Sequence, residues 1–500
     1  MPVIRESQSN SIQYSLPEVY IVEREPAASI RGASTNIAGL VCQATRGKTD
    51  TIYEVGSMEE FSRVLGNYKD GLDGYLYAKN FFDTNGGVLH IVRVTSTGTT
   101  SASYTASGAG AGSGGVFSIT ADSVGTWGND IVLSIATGST TGLINVSIRN
   151  GKELRAYDNV STSSSNSRYI ETIINEDSTR FFDITMILSN GTLPTAGNFS
   201  LVGGSNGTTT GSALADDAYV GVENGSDRTG IQKFKEDDEI LILLSARNND
   251  TINAAMITHV NDLSLSPRRA IIAYTAGTSV TNAISYAQNQ DDDKVKIIYP
   301  RLTVRNPFTK QNDEDVNPTS FAGAMETLLP YNRSVSQVKL PATVIGVEKI
   351  LTNTEMVSLT KNQINPIFKK KGRGFIFGSD YTTSKNPLLS ESAWRRAKDY
   401  LAISFETSIQ PYKSKDIDPE LWTEVRNALT SFLDGEASAK RIGKSDGSTP
   451  YSVKIDSDNN PQSVVQSNRM IIEVEVSLKG LANTIIIYLD SAPDKTIVNA

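Results

Sequence analysis

The sequence has a single cysteine, Cys42, so no internal disulfide can brace the fold. Its neighbours Leu40 and Val41 mark it as a packed thiol. There are two histidines, His90 and His259, too few to build a zinc site of the His/Cys type and few for acid–base catalysis. Neither a metal nor a cofactor is expected. No apolar run approaches the ~18 residues that a membrane-spanning helix needs. The opening Met-Pro-Val-Ile-Arg-Glu lacks the apolar core of a signal peptide. The expectation is therefore a chain made and assembled in the cytosol, without a membrane span. Charge of one sign is lacking too: 47 basic and 55 acidic residues are scattered, for a net −8. Such a chain has no basic footprint for nucleic acid, and none is expected as a partner.

What is present is strand signal, concentrated at the two ends. From Met470 the sequence alternates, with Ile472, Val474, Val476 and Leu478 on one face and Glu473, Glu475, Ser477 and Lys479 on the other. Period two with β-branched residues predicts a half-buried strand. After Gly480 comes a nearly continuous apolar run, Ile485, Ile486, Ile487, Tyr488 and Leu489, which suits a strand covered on both faces. At the other end, Val19, Tyr20, Ile21 and Val22 form a short strand isolated between Pro17 and Pro26. Apolar strands near chain ends either close a sheet of their own or add to a neighbour's sheet. Residues 1–30 are read as an extended arm.

Residues 31–98 read as an α/β unit. A small-residue strand covers Thr35–Ala44. Ser57 and Glu60 form a capping box ahead of Phe61, Val64 and Leu65, and Gly66 ends that helix. A second helix carries Tyr75, Ala78 and Phe82, and a strand follows from Val88 with His90 inside it as a structural residue. Ser101–Gly115 is almost entirely Ser, Ala, Thr and Gly, which predicts a flexible linker. Short strands separated by Gly, Asn, Ser and Thr then predict a β-rich module, 101–212. Within 213–365, Glu239–Ser245, Asp250–Asp262, Ala270–Tyr274, Thr278–Gln290 and Val295–Tyr299 alternate strand and helix, which argues for a parallel sheet covered by helices. In 366–500, Trp394, Ala397, Leu401 and Phe405 make the apolar stripe of one helix, and Asp418-Pro419-Glu420 opens another.

One catalytic reading is available. Gly277-Thr-Ser279 is similar to the motif around the nucleophile of subtilisin-like serine hydrolases, with His259 as base and Asp250 or Asp262 to orient it. But His259 lies only twenty positions before Ser279, on a helix of the same unit, and no oxyanion Asn stands in context. A third reading makes the β module a binder of host-surface glycans.

The order of several motifs resembles the contractile tail sheath family of phage tails, tailocins and injection systems. They are Pro17-Glu-Val-Tyr-Ile-Val-Glu, Asn36-Ile-Ala-Gly-Leu-Val, Arg46-Gly47, Phe81-Phe-Asp-Thr-Asn-Gly-Gly with Val92-Arg-Val, Asn362-Gln-Ile-Asn with Gly372-Arg-Gly, Trp394-Arg-Arg and Asp418-Pro-Glu-Leu-Trp. Glu18, Lys48 and Lys479 depart from the pattern, at turns. The resemblance implies a structural subunit without enzymatic activity. It implies hexameric rings stacked helically around an inner tube protein, capped by baseplate and tail terminator proteins, in a particle assembled in the bacterial cytoplasm. It further implies an α+β and α/β multidomain chain. Residues 31–98 and 366–500 would form an inner α/β core domain, 101–212 an outer β-rich insertion, and 213–365 a subtilisin-like parallel-sheet domain without catalysis. Exchanged terminal arms would then carry Val19–Val22 and Ile485–Leu489 to neighbours. For a contact with the tube, the off-stripe Arg395, Arg396 and Lys398, or Arg426, Lys440 and Arg441, are the candidates.

Overall fold

The computed structural model describes residues 3–5, 21–23, 30, 32–108, 114–209, 211–225 and 227–481. The chain is mixed α/β with several sheets, and it divides into two compact units, Ser34–Asp399 and Met1–Ala33 with Tyr400–Ala500. The division falls within the helix Ser392–Ile409.

In the larger unit, one sheet has eight strands. Their order is Gly374–Phe377, Ile364–Lys370, Val295–Tyr299, Arg269–Ala273, Ile242–Ser245, Ile37–Gln43, Val88–Val94 and Ile52–Val55. The inner strands run parallel, and the outermost on each side runs antiparallel. Parallel strands need crossover helices, which cover both faces, and the inner strands are accordingly buried along nearly their whole length. The chain builds outward in one direction from Ile37–Gln43 to Val88–Val94. After an insertion it builds in the other direction from Ile242–Ser245 to Ile364–Lys370. The winding therefore reverses between Ile37–Gln43 and Ile242–Ser245.

Strands from 31–98, from the middle of the chain and from the start of 366–500 all share this sheet. The strands of 31–98 pair with Ile242–Ser245 in the same sheet as the middle of the chain. Burying both faces of a parallel sheet requires more strands than 31–98 supplies, and the middle segment supplies them.

One face of the sheet packs Val41, Val92, Leu243, Ile272 and Ile297 against Ile252, Met256, Ala283 and Leu359 of the covering helices. Capping follows the sequence. Asn249 accepts from the Ile252 N–H at 3.0 Å, and Thr352 and Glu355 form a reciprocal box. At Ser57 only half of the expected box forms: Ser57 accepts from Glu60 N–H, while the Glu60 carboxylate takes the N–H of Gly56.

The other face carries charge. Arg269 and Lys296 stand on adjacent strands beneath the helix Thr319–Leu328, whose residues are buried almost all round. Glu326 of that helix bonds Arg269 Nη1 and, at 3.1 Å, Lys296 Nζ. Lys296 also bonds Asp380, and Arg269 Nε lies 3.1 Å from Asp399. Burial opposes ionisation of Glu326, but Lys296, Arg269 and Arg396 outweigh it and hold the carboxyl down at about 2.

The insertion is a two-sheet β module with its own core of Phe117, Ile119, Trp127, Leu133, Val146 and Phe182. One sheet has the order Glu153–Val160, Ile144–Asn150, Ile131–Thr137, Gly197–Ser200; the other, Phe182–Met186, Gly115–Ala121, Ser103–Ser107. The stretch expected to be a flexible linker thus contains a paired strand, because Tyr104 and Ala106 alternate inward against Gly115–Ala121. Entry and exit are zipped: Thr99–Thr100 pairs with Ser205–Asn206, and the Thr208 N–H donates to the Thr97 carbonyl at 3.4 Å. Arg93 fixes the module to the sheet, donating to the carbonyls of Ala44 (2.9 Å), Gly47 (2.6 Å) and Val124 (2.9 Å). Arg46 adds a bidentate pair with Glu153, both bonds 2.8 Å, and lies over the Trp127 ring.

Removing one partner of a buried network leaves the others uncompensated. Glu326→Gln is therefore expected to destabilise the chain by about 3–5 kcal/mol. Because the folded carboxyl lies below its unfolded value, Glu326 contributes stability above the ordinary carboxylate range, and this is lost as pH falls toward about 2. Denaturant melts between pH 7 and pH 3 should show a shallower acid slope for the variant; parallel slopes would contradict the assignment.

Candidate assembly site

The smaller unit holds the sequence with which an edge-pairing site would be built. The strands Tyr451–Lys454 and Glu473–Val476 pair antiparallel, Val453 opposite Val474. Glu473 and Glu475 are exposed while Val474 and Val476 turn inward, as the alternation predicts. The inner face rests on Leu421, Val425 and Leu429 of the helix Pro419–Ser438, with Tyr412 and Ile455. That helix starts where expected: Asp418 accepts the Leu421 N–H at 2.7 Å and Pro419 occupies the first turn. Among the described residues this sheet has two strands, so each presents one outer edge of unpaired backbone groups.

At the N-terminal end, Ile21–Glu23 pairs in parallel with Val3–Arg5, Ile4 opposite Val22. The expected strand at Ile21 and Val22 is there as backbone, but it has a partner within the chain and is not isolated. Val19, Tyr20 and all of Ile485, Ile486, Ile487, Tyr488 and Leu489 lie outside the described residues.

The cationic candidates separate. Arg396 is 3% exposed and donates to the carbonyls of Arg333, Glu326, Leu329 and Pro330. It satisfies the carbonyl end of the helix Thr319–Leu328, which would otherwise lack donors. Arg395 is held by Asp293 at 3.0 Å and by Asp399, so it too belongs to the interior network. Arg426 donates to the Ile455 carbonyl, and Arg441 pairs with Glu436 at 3.1 Å. Lys398 and Lys440 are exposed and make no ion pair among the described residues. Arg396 stands off the apolar stripe yet is buried, because the N-terminal turns of Ser392–Ile409 are enclosed on more than the stripe side.

The catalytic constellation does not assemble. Ser279 is the N-cap of the helix Val280–Gln288 and accepts from the Asn282 N–H at 3.2 Å. His259 is 2% exposed, with Nε2 facing the Arg268 guanidinium at 3.3 Å. Burial and then the Arg268 charge push its pKa down to about 3, so the ring stays neutral. Asp262 is engaged by Ser264 and Lys235. No side-chain hydrogen bond joins Ser279, His259, Asp250 and Asp262 among the described residues.

His90 does have an orienting carboxylate, which its local sequence could not reveal. Asp237, 147 positions later, bonds Nδ1 at 2.6 Å. Burial opposes the ring's charge, but the Asp237 bond and charge prevail and raise the pKa. Cys42 is buried, and burial followed by the charge of Asp73 pushes its thiol well up, as befits a packed cysteine.

Ser279→Ala removes one cap and no triad. It should cost about 1 kcal/mol in a thermal or urea melt and leave assembly unchanged; loss of a particle's lytic function at normal stability would refute the cap-only role.

No protein-family model and no curated protein sequence matches the chain. Solved structures do. A sheath tail protein from Listeria innocua is similar with a TM-score of 0.63 and 12% identity, over 86% of this chain and 90% of that one. A sheath tail protein from Desulfitobacterium hafniense gives 0.59 and 13%, over 87% and 93%. The helical sheath of the anti-feeding prophage in its contracted state gives 0.58 and 14%, over 96% and 100%. The likeness spans both units and the insertion, and the chain thus has the fold of the sheath proteins of contractile tails.

Proposed function

We propose that this chain is the repeating subunit of a contractile tail sheath, polymerising around an inner tube and shortening to drive that tube through a target cell envelope. The observation that carries the reading is the fold likeness over 96% of the chain to a contracted helical sheath. Its role is structural, not enzymatic, in keeping with the dispersed Ser279, His259 and Asp262. Subunits form hexameric rings stacked helically, with baseplate and terminator proteins at the ends, in a tail particle assembled in the bacterial cytoplasm. The doubly wound body corresponds to the subtilisin-like domain of the family, and the β module faces outward.

Connections between subunits use the terminal strands. Among the described residues the sheet Tyr451–Lys454/Glu473–Val476 has an open edge, and the apolar run Ile485–Leu489 supplies a strand that pairs there from a neighbour. Backbone hydrogen bonds tolerate movement of the attached bodies, with the proline-bounded Glu23–Pro26 as the connection at the N-terminal end. The same arms then persist through contraction. Lys398, and in the smaller unit Lys440, Arg426 and Arg441, face the tube and bind it weakly enough to release.

Deleting residues 1–22, truncating before Ile485, or substituting Ile486→Pro, which removes a ladder donor, should give a folded but largely monomeric protein. The comparison is sedimentation velocity and negative-stain microscopy against the parent, which should form hollow cylinders. Truncated chains that polymerise as readily as the parent would overturn the strand-exchange reading; a parent that forms only discrete particles would overturn the sheath reading itself.

A further inference from the structure

Two features of the larger unit are left over. The first is a cleft of about 660 Å³ at the carboxyl ends of the parallel strands, where the winding reverses between Ile37–Gln43 and Ile242–Ser245. In doubly wound sheets the connecting loops splay apart at this point, and it is where such folds place ligands. Asn80 lines the cleft. It is 8% exposed, and its carboxamide makes no hydrogen bond within the protein among the described residues. The carboxamide opens to the solvent of the cleft, where it is free to bond an incoming group. The lining also carries carboxylates without ion pairs among the described residues, Asp70, Asp73 and Asp313, against one such cation, Arg305. Burial raises the Asp313 pKa, and the charge of Asp70 adds to the rise. Tyr68, between them, donates to Asp70 at 3.2 Å.

The second feature is the hairpin joining Ile364–Lys370 to Gly374–Phe377. Its tip reads Lys369-Lys370-Lys371-Gly372-Arg373, and all four cations are exposed. None makes an ion pair among the described residues. Lys370 Nζ and Arg373 Nη2 reach only the side chain and carbonyl of Gln337. Gly372 has φ +78° and open space around it, so the turn projects freely. This block breaks the otherwise scattered charge of the sequence.

Ile364–Lys370 is parallel to Val295–Tyr299, so the tip lies at the same end of the sheet as the cleft. It is three strands along from Ile242–Ser245, roughly 15–20 Å at the usual strand spacing. Within one copy, among the described residues, the cations of the tip form no ion pair with the carboxylates of the cleft, so both stay available to a neighbour.

We propose that the basic tip of one copy inserts into the cleft of the next. The lysines meet Asp70 and Asp313, and the Asn80 carboxamide bonds the backbone of the turn. The contact is heterologous, so it links each copy to a next one, around a ring or along a helix. The inference rests on the sheath reading and adds to it a second connection, charged and salt-sensitive, beside the strand arms.

The test is a charge swap in the full chain. Asp70→Lys with Asp313→Lys, or Lys370→Glu with Lys371→Glu, should each raise the concentration needed for polymerisation about tenfold at low salt. Combining all four substitutions should return it toward the parental value. All sites are at the surface or cleft mouth, and matching thermal melts control for folding. In parallel, Asn80→Cys copies mixed with Lys371→Cys copies should give a disulfide-linked pair on oxidation; the native Cys42 is buried and does not compete. Unchanged polymerisation in both charge sets, failure of the combination to recover, or no linked pair in formed cylinders would overturn the contact while leaving the sheath reading intact. If the parent forms no cylinders, the sheath reading fails. The tip–cleft contact is then read from the mixed copies by sedimentation equilibrium, where parental association lost in either set and regained in the combination supports it, and no association refutes it.

Discussion

A carboxylate enclosed among cations organises the larger unit. Two neighbouring central strands each direct a cation, Arg269 and Lys296, into a space from which water is excluded, and only Glu326, with Asp380 and Asp399, makes that tolerable. Satisfying the pair fixes the depth and rotation of the helix Thr319–Leu328. That helix's exposed carbonyls in turn need Arg396, which seats the first turns of Ser392–Ile409. A hydrophobic face would accept several registers of a covering helix. An ionic one accepts few, because each shift would strand a charge.

Local order was legible where the chain reports on itself. The alternation at Ile472–Val476, the caps at Ser57 and Asp418, and the strand–helix series through Val295–Tyr299 all depend on residues a few positions apart, and the structure has them. Neighbour relations were not legible. Nothing in the periodicity of Ile37–Gln43 says that its partners are Val88–Val94 on one side and, across an insertion, Ile242–Ser245 on the other. The low-complexity start of the insertion misled for a related reason: small residues suit a linker when alone, and suit a strand when a partner such as Gly115–Ala121 covers them.

The candidate site shows the same division. Helical spacing identified which residues stand off the apolar stripe of Ser392–Ile409, but being off the stripe is not being in water. Arg396 meets carbonyls contributed more than sixty positions earlier, a demand that only the packed structure creates. Asp237 beside His90 is likewise a long-range partner. Scanning charge as a whole-chain balance also concealed the local block at Lys369–Arg373, because acidic residues elsewhere offset it in the sum.

The zipped stalk of the insertion has an evolutionary corollary. Since the chain leaves at Thr99–Thr100 and returns at Ser205–Asn206 hydrogen-bonded to itself, the parent sheet senses only a short, closed doorway, whatever is housed beyond it. Loop-closure entropy at such a doorway is already spent, and a domain with adjacent termini can occupy it without disturbing the strands on either side. A lineage can thus redecorate this part of its surface by exchanging one cassette, while the sheet, its ionic seat and the terminal strands stay under their own, separate constraints.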